Sequence, residues 1–354
     1  MFFKNSEKTI SDFNKTIIPF IKESIKKKKT IRRDIEFNNF TFDISFVPII
    51  ENKYVNIYGF DVTDFRRKIN QQQNDLLDLN KKLKKYNSIL EKDVEERTLE
   101  ISKINNELSS SISYAKKLQN AVIAHQNLSK NVFKDSFIYY YPKDIVGGDF
   151  YFTYQLEDDL IFGVADCTGH GVPGAMLSLL CMTFLDNAIN THKLTVPNLI
   201  LEKVNELLKN SFKQGDFLVR DGMDISLCAY NKSTGEINWA GANNPLWIFR
   251  KNGEFEEIRG DRQPIGYFEN QKPFTNSSIT LEKGDTIYLF SDGYADQFGG
   301  GKNKKFKSSN LKKKLLSIQS SSLGVQKEIL EKEFEEWKGD FAQTDDVCLI
   351  GLRI

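Results

Sequence analysis

The stretch Val164–Ser178 reads VADCTGHGVPGAMLS and continues an apolar run that begins at Leu160. That run ends on a carboxylate, Asp166, and small, turn-forming residues follow before a second apolar segment. A short apolar run bounded by turn residues is typical of a buried strand, whereas the longer run after Gly174 is typical of a buried helix. The stretch therefore predicts a strand that ends on an acid, a tight loop and a helix that packs close behind it.

Three further segments place a carboxylate at a predicted strand end: Gly147–Asp149 (GGD), Ser291–Gly293 (SDG) and Thr344–Asp346 (TDD). Several carboxylates brought together cannot all stay ionised without a cation. All-oxygen ligand sets suit Mg²⁺ and Mn²⁺, and two such ions can activate a water for attack on phosphorus. We therefore expect four acids to meet around a metal: Asp149, Asp166, Asp292 and Asp345. The alternative is that each acid is an ordinary turn or capping residue.

The composition limits the classes of protein to which the chain can belong. Of its 354 residues 40% are hydrophobic and 27% charged, with a net charge of +1. The length predicts about two domains, and the balanced charge argues against a nucleic-acid or membrane-surface role. The four cysteines form no CxxC pair, which favours buried thiols in a reducing, cytoplasmic compartment. The N-terminus does not resemble a signal peptide, and without a run of about 18 apolar residues we expect no membrane span.

The N-terminal residues predict a small α+β segment. Apolar spacing in residues 1–30 predicts an amphipathic helix, and two alternating runs, Ile35–Pro48 and Lys53–Asp61, predict strands joined by a turn at Glu51-Asn52. With GFDVTDFRRK (59–68), in which an Asp-x-Thr turn leads into a helix, these residues resemble the C-terminal half of a PAS sensor domain. Either the chain starts mid-domain or the domain is a reduced version, so we expect a dimerisation role rather than an intact ligand pocket.

Residues 66–115 contain no proline or glycine, and apolar residues recur at every seventh position: Ile69, Leu76, Leu83 and Leu90. This heptad spacing predicts a parallel dimeric coiled coil, with a long surface helix as the alternative. The register then jumps by four to Val94, a stutter that locally unwinds a supercoil. Helical spacing continues over Ser110–Asn127. We expect a partial PAS-like segment at 1–65, a coiled-coil linker at 66–115 and a catalytic domain at 116–354.

Beyond about residue 131 the pattern changes to short apolar runs separated by hairpin signals, such as Gly235 and Asn252-Gly253. Helix candidates come in two pairs: Gly174–Asn190 with Val196–Phe212, and Ser308–Ile318 with Gly324–Trp337. Hairpin-linked strands with two pairs of helices predict an α+β fold, in which stacked antiparallel sheets are flanked by helices.

At the acidic segments the chain resembles the metal-dependent protein phosphatase family (PPM, protein phosphatase 2C-like), and within it the bacterial SpoIIE-type branch. The segments that carry the resemblance are PKDIVGGDFY (142–151), ADCTGHGVPGAMLS (165–178), GMDISLC (222–228), GANNPLWI (241–248), LFSDGYADQ (289–297) and QTDDVCLIGL (343–352). They occur in family order. The resemblance implies a PPM-type α-β-β-α sandwich, here preceded by a long coiled-coil helix and the small PAS-like segment.

The resemblance also implies roles for individual residues. Asp149 and Asp166 correspond to acids that bridge or flank two metal ions. The backbone carbonyl of Cys167 stands where the family usually places a glycine carbonyl, and a carbonyl can bind metal whatever its side chain. Asp292 and Asp345 correspond to the remaining ligands. Two more acids have secondary roles: Asp346 is the alternative to Asp345, and Asp224 is expected to organise the site from its strand.

The reaction implied is hydrolysis of phosphoserine or phosphothreonine in a protein by a water that two Mn²⁺ or Mg²⁺ ions activate. No covalent intermediate is needed, and neighbouring carboxylates disfavour a Cys167 thiolate. His170 is a candidate general acid, although ordering the loop through hydrogen bonds is the favoured reading. Lys143 could approach the phosphate or remain an exposed lysine without a contact.

The partners implied are a phosphorylated signalling protein, for which the family suggests an anti-sigma-factor antagonist, and a second copy of the chain through the coiled coil. We expect an input signal to rotate or shift the coiled coil, and the helix Ser110–Asn127 to pass this change to the metal site. One alternative is a non-catalytic pseudophosphatase scaffold, against which the presence of all four acids argues. Another is a nucleotide phosphohydrolase, for which no P-loop or base-binding motif is present.

Overall fold

The computed structural model describes residues 7–49, 54–124, 135–212, 221–301 and 303–354. The chain divides into two compact units, Met1–Lys103 and Ile104–Ile354. Two sequence predictions, the turn at Glu51-Asn52 and the end of the long helix at 127–130, lie outside the described residues.

The N-terminal unit packs one helix on a three-stranded antiparallel sheet. Its elements are α1 (Glu7–Lys27), β1 (Ile31–Phe37), β2 (Phe40–Ile49) and β3 (Tyr54–Asp61), with strand order β1-β2-β3. Apolar residues of the helix and the sheet form a small core, of which Ile17, Ile35, Ile44 and Phe46 are buried. The described helix and strands fit the small α+β segment expected from the sequence.

The prediction of one strand over Ile35–Pro48 is wrong, because a turn divides it. Asn38 and Asn39 have φ angles of 49° and 67°, and the flanking residues Phe37 and Phe40 are paired across the two strands. Two consecutive residues in the left-handed region are typical of a tight hairpin turn, and asparagine tolerates that region well. The alternation changes phase at this turn, from Ile35 and Phe37 before it to Phe40 and Phe42 after it, and that change was the available signal.

A single 62-residue helix, α2 (Thr63–Ala124), follows the sheet. It begins at the predicted Asp-x-Thr turn, where the Asp61 carboxylate accepts hydrogen bonds from the Thr63 backbone N–H (2.9 Å) and hydroxyl (2.5 Å). Carboxylate acceptors of this kind satisfy the unpaired N–H groups at a helix start. The heptad residues Leu76, Leu83 and Leu90 are all more than half exposed in the single chain.

The C-terminal unit contains two antiparallel sheets. Its strands are β4 (Asp135–Tyr141), β5 (Phe150–Leu156), β6 (Asp159–Cys167), β7 (Gly222–Asn231), β8 (Ile237–Ala242), β9 (Leu246–Phe249), β10 (Phe255–Ile258), β11 (Ile265–Gly266), β12 (Ser277–Ile279), β13 (Thr286–Phe290), β14 (Phe298–Gly299), β15 (Lys304–Lys305) and β16 (Val347–Arg353). One sheet has the order β10-β9-β13-β16-β4 and the other β12-β8-β7-β6-β5, with β11 on β7. The short strands β14 and β15 form a separate hairpin.

Helices cover the outer faces of both sheets. They are α3 (Gly171–Asp186), α4 (Pro197–Phe212), α5 (Gly293–Asp296), α6 (Ser308–Ile318) and α7 (Leu323–Lys338), with a π-helical turn, Asn187–Thr191, after α3. Residues of α3 and α4 share a core with one sheet, and residues of α6 and α7 share a core with the other. A third core contains residues of both sheets, including Phe162 and Leu289. The layers are therefore α-β-β-α, as expected from the sequence.

Strand β6 illustrates why its sequence is almost continuously apolar. Leu160, Phe162 and Val164 belong to the core between the sheets, whereas Ile161 and Ala165 belong to the core under α3 and α4. Successive side chains of a strand point to opposite faces, so a strand covered on both faces must be apolar at every position. The sandwich thus holds this strand, and the acid at its end, rigidly in its middle.

Helix α3 begins at Gly171, three residues before the predicted start at Gly174. Pro173 did not end the helix, because the N–H groups of a first turn have no partner within the helix and proline loses nothing there. The segment Gly171–Thr191 is the one helix among the described residues that is long and apolar enough to cross a membrane by length and composition. Core helices of water-soluble domains pass the same test, and half of this segment's apolar window is buried in the sandwich.

Candidate functional site

Four acidic side chains line one cavity of about 290 Å³: Asp166, Asp224, Asp292 and Asp345. The first two lie on the adjacent strands β6 and β7, where they face each other directly in the register. The other two belong to the second sheet, just after β13 and just before β16, which are also paired. The cavity therefore lies where strand ends of both sheets meet, and the structure brings three of the four predicted ligands to it.

Asp149, the fourth predicted ligand, is only 2% exposed and lies beside the cavity rather than on its wall. Asp149 directly precedes β5, and the first residue of that strand, Phe150, is paired with Ala165 of β6, the neighbour of Asp166. The Oδ2 atom of Asp149 is buried and has no hydrogen-bond partner among the described residues. A buried carboxylate oxygen without a partner is costly, and a cation is the usual remedy.

Burial and mutual repulsion raise the pKa values of these acids. Burial raises the pKa of Asp149 well above its usual range, and the charge of Asp166 adds to the rise. Burial and the charge of Asp292 raise the pKa of Asp166 to about 8. Burial, with smaller effects of Asp296 and Asp345, raises the pKa of Asp292 to about 6. Like charges in a poorly hydrated cavity disfavour the ionised form, so the acids together form a strong site for a positive charge.

Close backbone packing fixes the loop that carries Asp149. A Cβ atom at Gly148 would lie 2.4 Å from the carbonyl oxygen of Gly169, and one at Gly174 would lie 2.2 Å from the same oxygen. The Cα atom of Gly148 lies only 3.0 Å from the place that a Cβ atom at Gly174 would take. Only glycine permits three chain segments to approach so closely. The loops that carry Asp149 and Asp166 are therefore locked to each other and to the start of α3.

Asp346 holds the same loop instead of lining the cavity. Its side chain is 2% exposed and accepts hydrogen bonds from the backbone N–H groups of Lys143 (2.7 Å) and Gly148 (2.6 Å). Both carboxylate oxygens are thus occupied, whereas Asp345 lies on the cavity wall. This placement favours Asp345 as the ligand and gives Asp346 a role in ordering the loop.

The thiol of Cys167 belongs to the apolar core under α3, and burial raises its pKa well above the usual range. Its carbonyl oxygen faces the Asp149 loop, 3.1 Å from where a Cβ atom of Gly148 would lie. All four cysteines, each within the described ranges, are buried free thiols. The backbone of Cys167, and not its side chain, is thus the part that can serve the site.

His170 stands at the mouth of the cavity between an acid and a lysine. Its Nδ1 atom is 2.8 Å from Asp144 Oδ2, and its Nε2 atom is 3.0 Å from Lys143 Nζ. The histidine therefore orders the loop, as expected, and it also places the lysine ammonium near the acidic cavity. Sequence reasoning missed Asp144, although its position beside Lys143 was the available signal.

Two further contributors also escaped the sequence analysis. Asn243 donates a hydrogen bond from its side-chain amide to Asp224 Oδ1 at 2.8 Å, and its φ of 55° places it in a tight turn after β8. Gln119, on α2, is 2% exposed and bonds to the Asp149 loop. The segment GANNPLWI (241–248) contains Asn243 and was the available signal for that residue. Nothing in the local sequence distinguishes Gln119.

The donor set fits a hard divalent cation. Carboxylates and one backbone carbonyl provide only oxygen ligands, and the unpaired Oδ2 atom of Asp149 is an available donor. These are the ligands that Mg²⁺ and Mn²⁺ prefer. Among the described residues no group of three acidic, histidine or cysteine side chains is already arranged to hold a metal ion. Metal binding would therefore need an adjustment of these side chains.

Comparison with known structures places the fold. The structure of the SiaA-PP2C domain of Pseudomonas aeruginosa matches 71% of this chain and 98% of its own, with a TM-score of 0.65 and 29% identity. A structure of the PP2C phosphatase domain and regulatory fragment of SpoIIE from Bacillus subtilis matches 62% of each chain, with a TM-score of 0.51 and 16% identity. The second likeness supports the fold alone.

Comparison of sequences agrees with the fold. "Phosphoserine phosphatase RsbU" of Bacillus subtilis (strain 168) is 23% identical over 159 residues, which is 44% of this chain and 44% of that protein. The match thus spans less than half the length of this curated relative. The family model described as Stage II sporulation protein E (SpoIIE) matches residues 157–354, a segment that begins eight positions after Asp149. Because this match includes more than half of the chain, the protein belongs to the SpoIIE family, whose members in the solved structures have the PP2C-type fold.

Proposed function

We propose that this protein is a metal-dependent protein serine/threonine phosphatase. The observation that carries the proposal is the buried group of acids around one cavity, in which the Oδ2 atom of Asp149 has no hydrogen-bond partner among the described residues. A cation site would account for the burial of several carboxylates in one place, because a cation offsets their mutual repulsion. Membership of the SpoIIE family and the name of the RsbU relative support phosphoserine or phosphothreonine as the substrate group.

The proposed ligands of two Mn²⁺ or Mg²⁺ ions are the side chains of Asp149, Asp166, Asp292 and Asp345 and the carbonyl of Cys167. When bound, such ions activate a water molecule and neutralise the phosphoryl oxygens. Asp224 faces Asp166 and is held by Asn243, so it shapes the wall of the cavity.

The mouth of the cavity supplies the chain's own positive charge. Lys143, held beside His170, offers an ammonium group where a phosphate would enter an otherwise acidic site. An ammonium group of this kind favours binding of a phosphate dianion and attracts it toward the cavity. The imidazole of His170 is held between Asp144 and Lys143, so its proposed role is to order the loop and to position the lysine ammonium.

The substrate is proposed to be a phosphorylated signalling protein, such as an anti-sigma-factor antagonist. We further propose that residues 1–65 and the coiled coil at 66–115 regulate the domain at 116–354, with two copies joined through the exposed heptad residues. A location in the cytoplasm fits the free thiols.

Hydrolysis assays test the proposed activity. Full-length protein with Mn²⁺ should release phosphate from a phosphoserine peptide and from a generic phosphate ester, but far more slowly from a nucleotide. Asp166→Ala and Asp292→Ala should each lower turnover by about 10³-fold or more, because a metal site loses a ligand. Glu328→Ala, at an exposed acid on α7, a helix that contributes no residue to the cavity wall, is the matched control. Mn²⁺ binding without hydrolysis of any ester would instead favour the scaffold alternative.

A further inference from the structure

One part of the cavity wall is apolar. Met223, Pro264, Ile265 and Tyr267 line the same cavity as the acids. Met223 and Ile265 are buried, whereas Tyr267 is 40% exposed and the next residue, Phe268, is 41% exposed. Exposed apolar surface that is grouped beside a cavity is typical of a binding surface, although isolated exposed apolar residues are common on any protein. This surface offers no charge to a metal ion or to a phosphate.

Strand β11 fixes the apolar wall beside the acids. Its residue Ile265 is paired with Met223 of β7, and the next residue of β7 is Asp224, which also lines the cavity. The N–H of Gly266 donates a hydrogen bond to the side-chain carbonyl oxygen of Asn205 on α4, at 2.9 Å. The backbone that leads into the two aromatic residues is therefore tied both to the central sheet and to a helix.

Amide side chains close the loop that carries the two aromatic residues. Gln263 is 4% exposed; its Nε2 atom donates to the carbonyl oxygen of Lys272 (2.6 Å), and its Oε1 atom accepts from the Lys272 N–H (2.8 Å). Gln271 donates from its side chain to the carbonyl oxygen of Pro264 at 3.3 Å. A loop whose ends are joined in this way has little conformational freedom left to lose when a ligand binds. The aromatic rings thus form a fixed surface.

The position of this surface suggests which part of a substrate meets it. A phosphoserine side chain is short, so the residues on either side of it must contact the mouth of the cavity when its phosphate lies among the acids. Lys143 and His170 provide a polar part of that mouth, whereas Tyr267 and Phe268 provide an apolar part. Aromatic rings there gain much more from contact with a large apolar side chain than from contact with alanine.

We propose that Tyr267 and Phe268 form a specificity subsite that binds a large apolar side chain next to the phosphorylated residue of the substrate. The substrate class is then a peptide segment in which leucine or a similar residue directly adjoins phosphoserine. This inference rests on the proposed function, because it concerns substrates of the same cavity. It predicts a preference between two phosphopeptides, whereas the proposed function predicts that phosphopeptides are hydrolysed.

A pair of phosphopeptides tests the subsite in the full-length protein with Mn²⁺. The two peptides have equal length and differ only in having leucine or alanine on both sides of phosphoserine. The measured quantity is the ratio of their kcat/KM values. The wild type should favour the leucine peptide about tenfold, which is the discrimination that burial of a few methylene groups provides. Tyr267→Ala should bring the ratio close to 1, and Phe268→Ala should lower it part of the way.

Two control variants separate the subsite from a structural role of the loop. Tyr267→Phe keeps the aromatic ring and should retain the wild-type ratio. Tyr54→Ala should retain it too, because this tyrosine of β3 has a similar exposure, 49%, and does not line the cavity. If the ring only stabilised the loop, Tyr267→Ala would lower kcat/KM for both peptides by the same factor, and that unchanged ratio would overturn the proposal. A wild-type ratio near 1 would overturn it as well, even if Tyr267→Ala does not fold.

Failure of the proposed function gives a different result. If the wild type hydrolyses both peptides equally well, the activity stands and the subsite is refuted. If it hydrolyses neither, the activity is refuted, and calorimetric binding of the same two peptides to the Mn²⁺-loaded protein decides the subsite. Tighter binding of the leucine peptide that is lost in Tyr267→Ala would support the subsite, whereas equal dissociation constants would overturn it.

Discussion

Asp166 and Asp224 face each other on neighbouring antiparallel strands, and the side chain that donates a hydrogen bond to Asp224 is a neutral amide, that of Asn243. Directly opposed like charges destabilise a sheet. Burial is the main cause of the raised pKa of each residue, and the charge of Asp224 also contributes to that of Asp166. The sheet therefore holds an unfavourable arrangement in the absence of metal, and neutralising either acid should relieve it.

Replacing Asp166 with asparagine should stabilise the metal-free protein while it removes activity. The neutral side chain avoids the cost of a carboxyl group buried among other acids, so the free energy of unfolding at pH 7 should rise by about 1 to 2 kcal/mol. Urea denaturation in EDTA measures the change. Glu328→Gln, at an exposed acid on α7 that does not line the cavity, should leave the midpoint unchanged. A lower midpoint for Asp166→Asn would contradict the prediction.

Mn²⁺ should stabilise the wild-type protein, because it neutralises the same group of acids. At a free concentration 100 times the dissociation constant, binding to the native state adds about 2.7 kcal/mol. For a domain of this size that is about 5 to 10 °C in the melting temperature. Thermal melts with Mn²⁺ and with EDTA provide the measurement. Asp292→Ala should lose most of the shift, and an equal shift in that variant would exclude Asp292 as a ligand.

Gly148→Ala should damage the site, because the new Cβ atom would lie 2.4 Å from the Gly169 carbonyl oxygen. The backbone of either loop must move, so we expect about 2 kcal/mol or more of lost stability and at least a tenfold loss of Mn²⁺ affinity. Gly324→Ala is the matched control. Its Cβ atom would meet nothing within 4 Å near the start of α7, and alanine there should be neutral or add up to about 1 kcal/mol. Equal effects of both substitutions would refute the steric argument.

The sequence was sufficient to predict the layers and the placing of the acids at strand ends, for a simple physical reason. The apolar strands β6 and β13 each end abruptly on an acid, at Asp166 and close to Asp292, and buried strands covered on both faces are easily recognised. Local pattern also located α6 at its observed bounds, Ser308–Ile318. These features depend on residues that are near one another in the chain.

Features that depend on distant partners were not predicted. Gln119 meets residues 28 and 59 positions away, and in the sequence it is one polar residue of a long polar helix. The role of Asp346 in holding the loop likewise depends on the backbone N–H groups of Lys143 and Gly148, which lie about 200 positions earlier in the chain. Neither relationship leaves a local trace in composition or periodicity.

Asp285 should make the stability of the sandwich depend on pH. Burial raises its pKa, but hydrogen bonds from the backbone N–H groups of Glu282 and Lys251 and from Arg250 outweigh this and hold the pKa below its usual range. A depressed pKa in the folded state stabilises above the unfolded pKa of about 3.9, and that stability is lost as the pH falls through the folded value.

Asp285→Asn should accordingly cost about 1 to 3 kcal/mol at pH 7, since the amide cannot accept all these hydrogen bonds as a charged group. The difference from the wild type should shrink steadily below about pH 4. Urea denaturation at pH 7 and at pH 3 measures both quantities. A gap of the same size at the two pH values would show that the carboxylate charge is not the source.

The exposed heptad residues of α2 should hold two copies of the chain together. Leu83 is 56% exposed in the single chain and lies in the middle of the predicted seam, so burial against a partner helix would remove a row of leucines from water. Leu83→Asp should therefore convert a dimer into a monomer in sedimentation equilibrium, because it places a charge inside the seam. Lys84→Asp, one position outside the seam, should remain dimeric. A wild-type protein that sediments as a monomer at tens of micromolar would exclude the coiled-coil dimer.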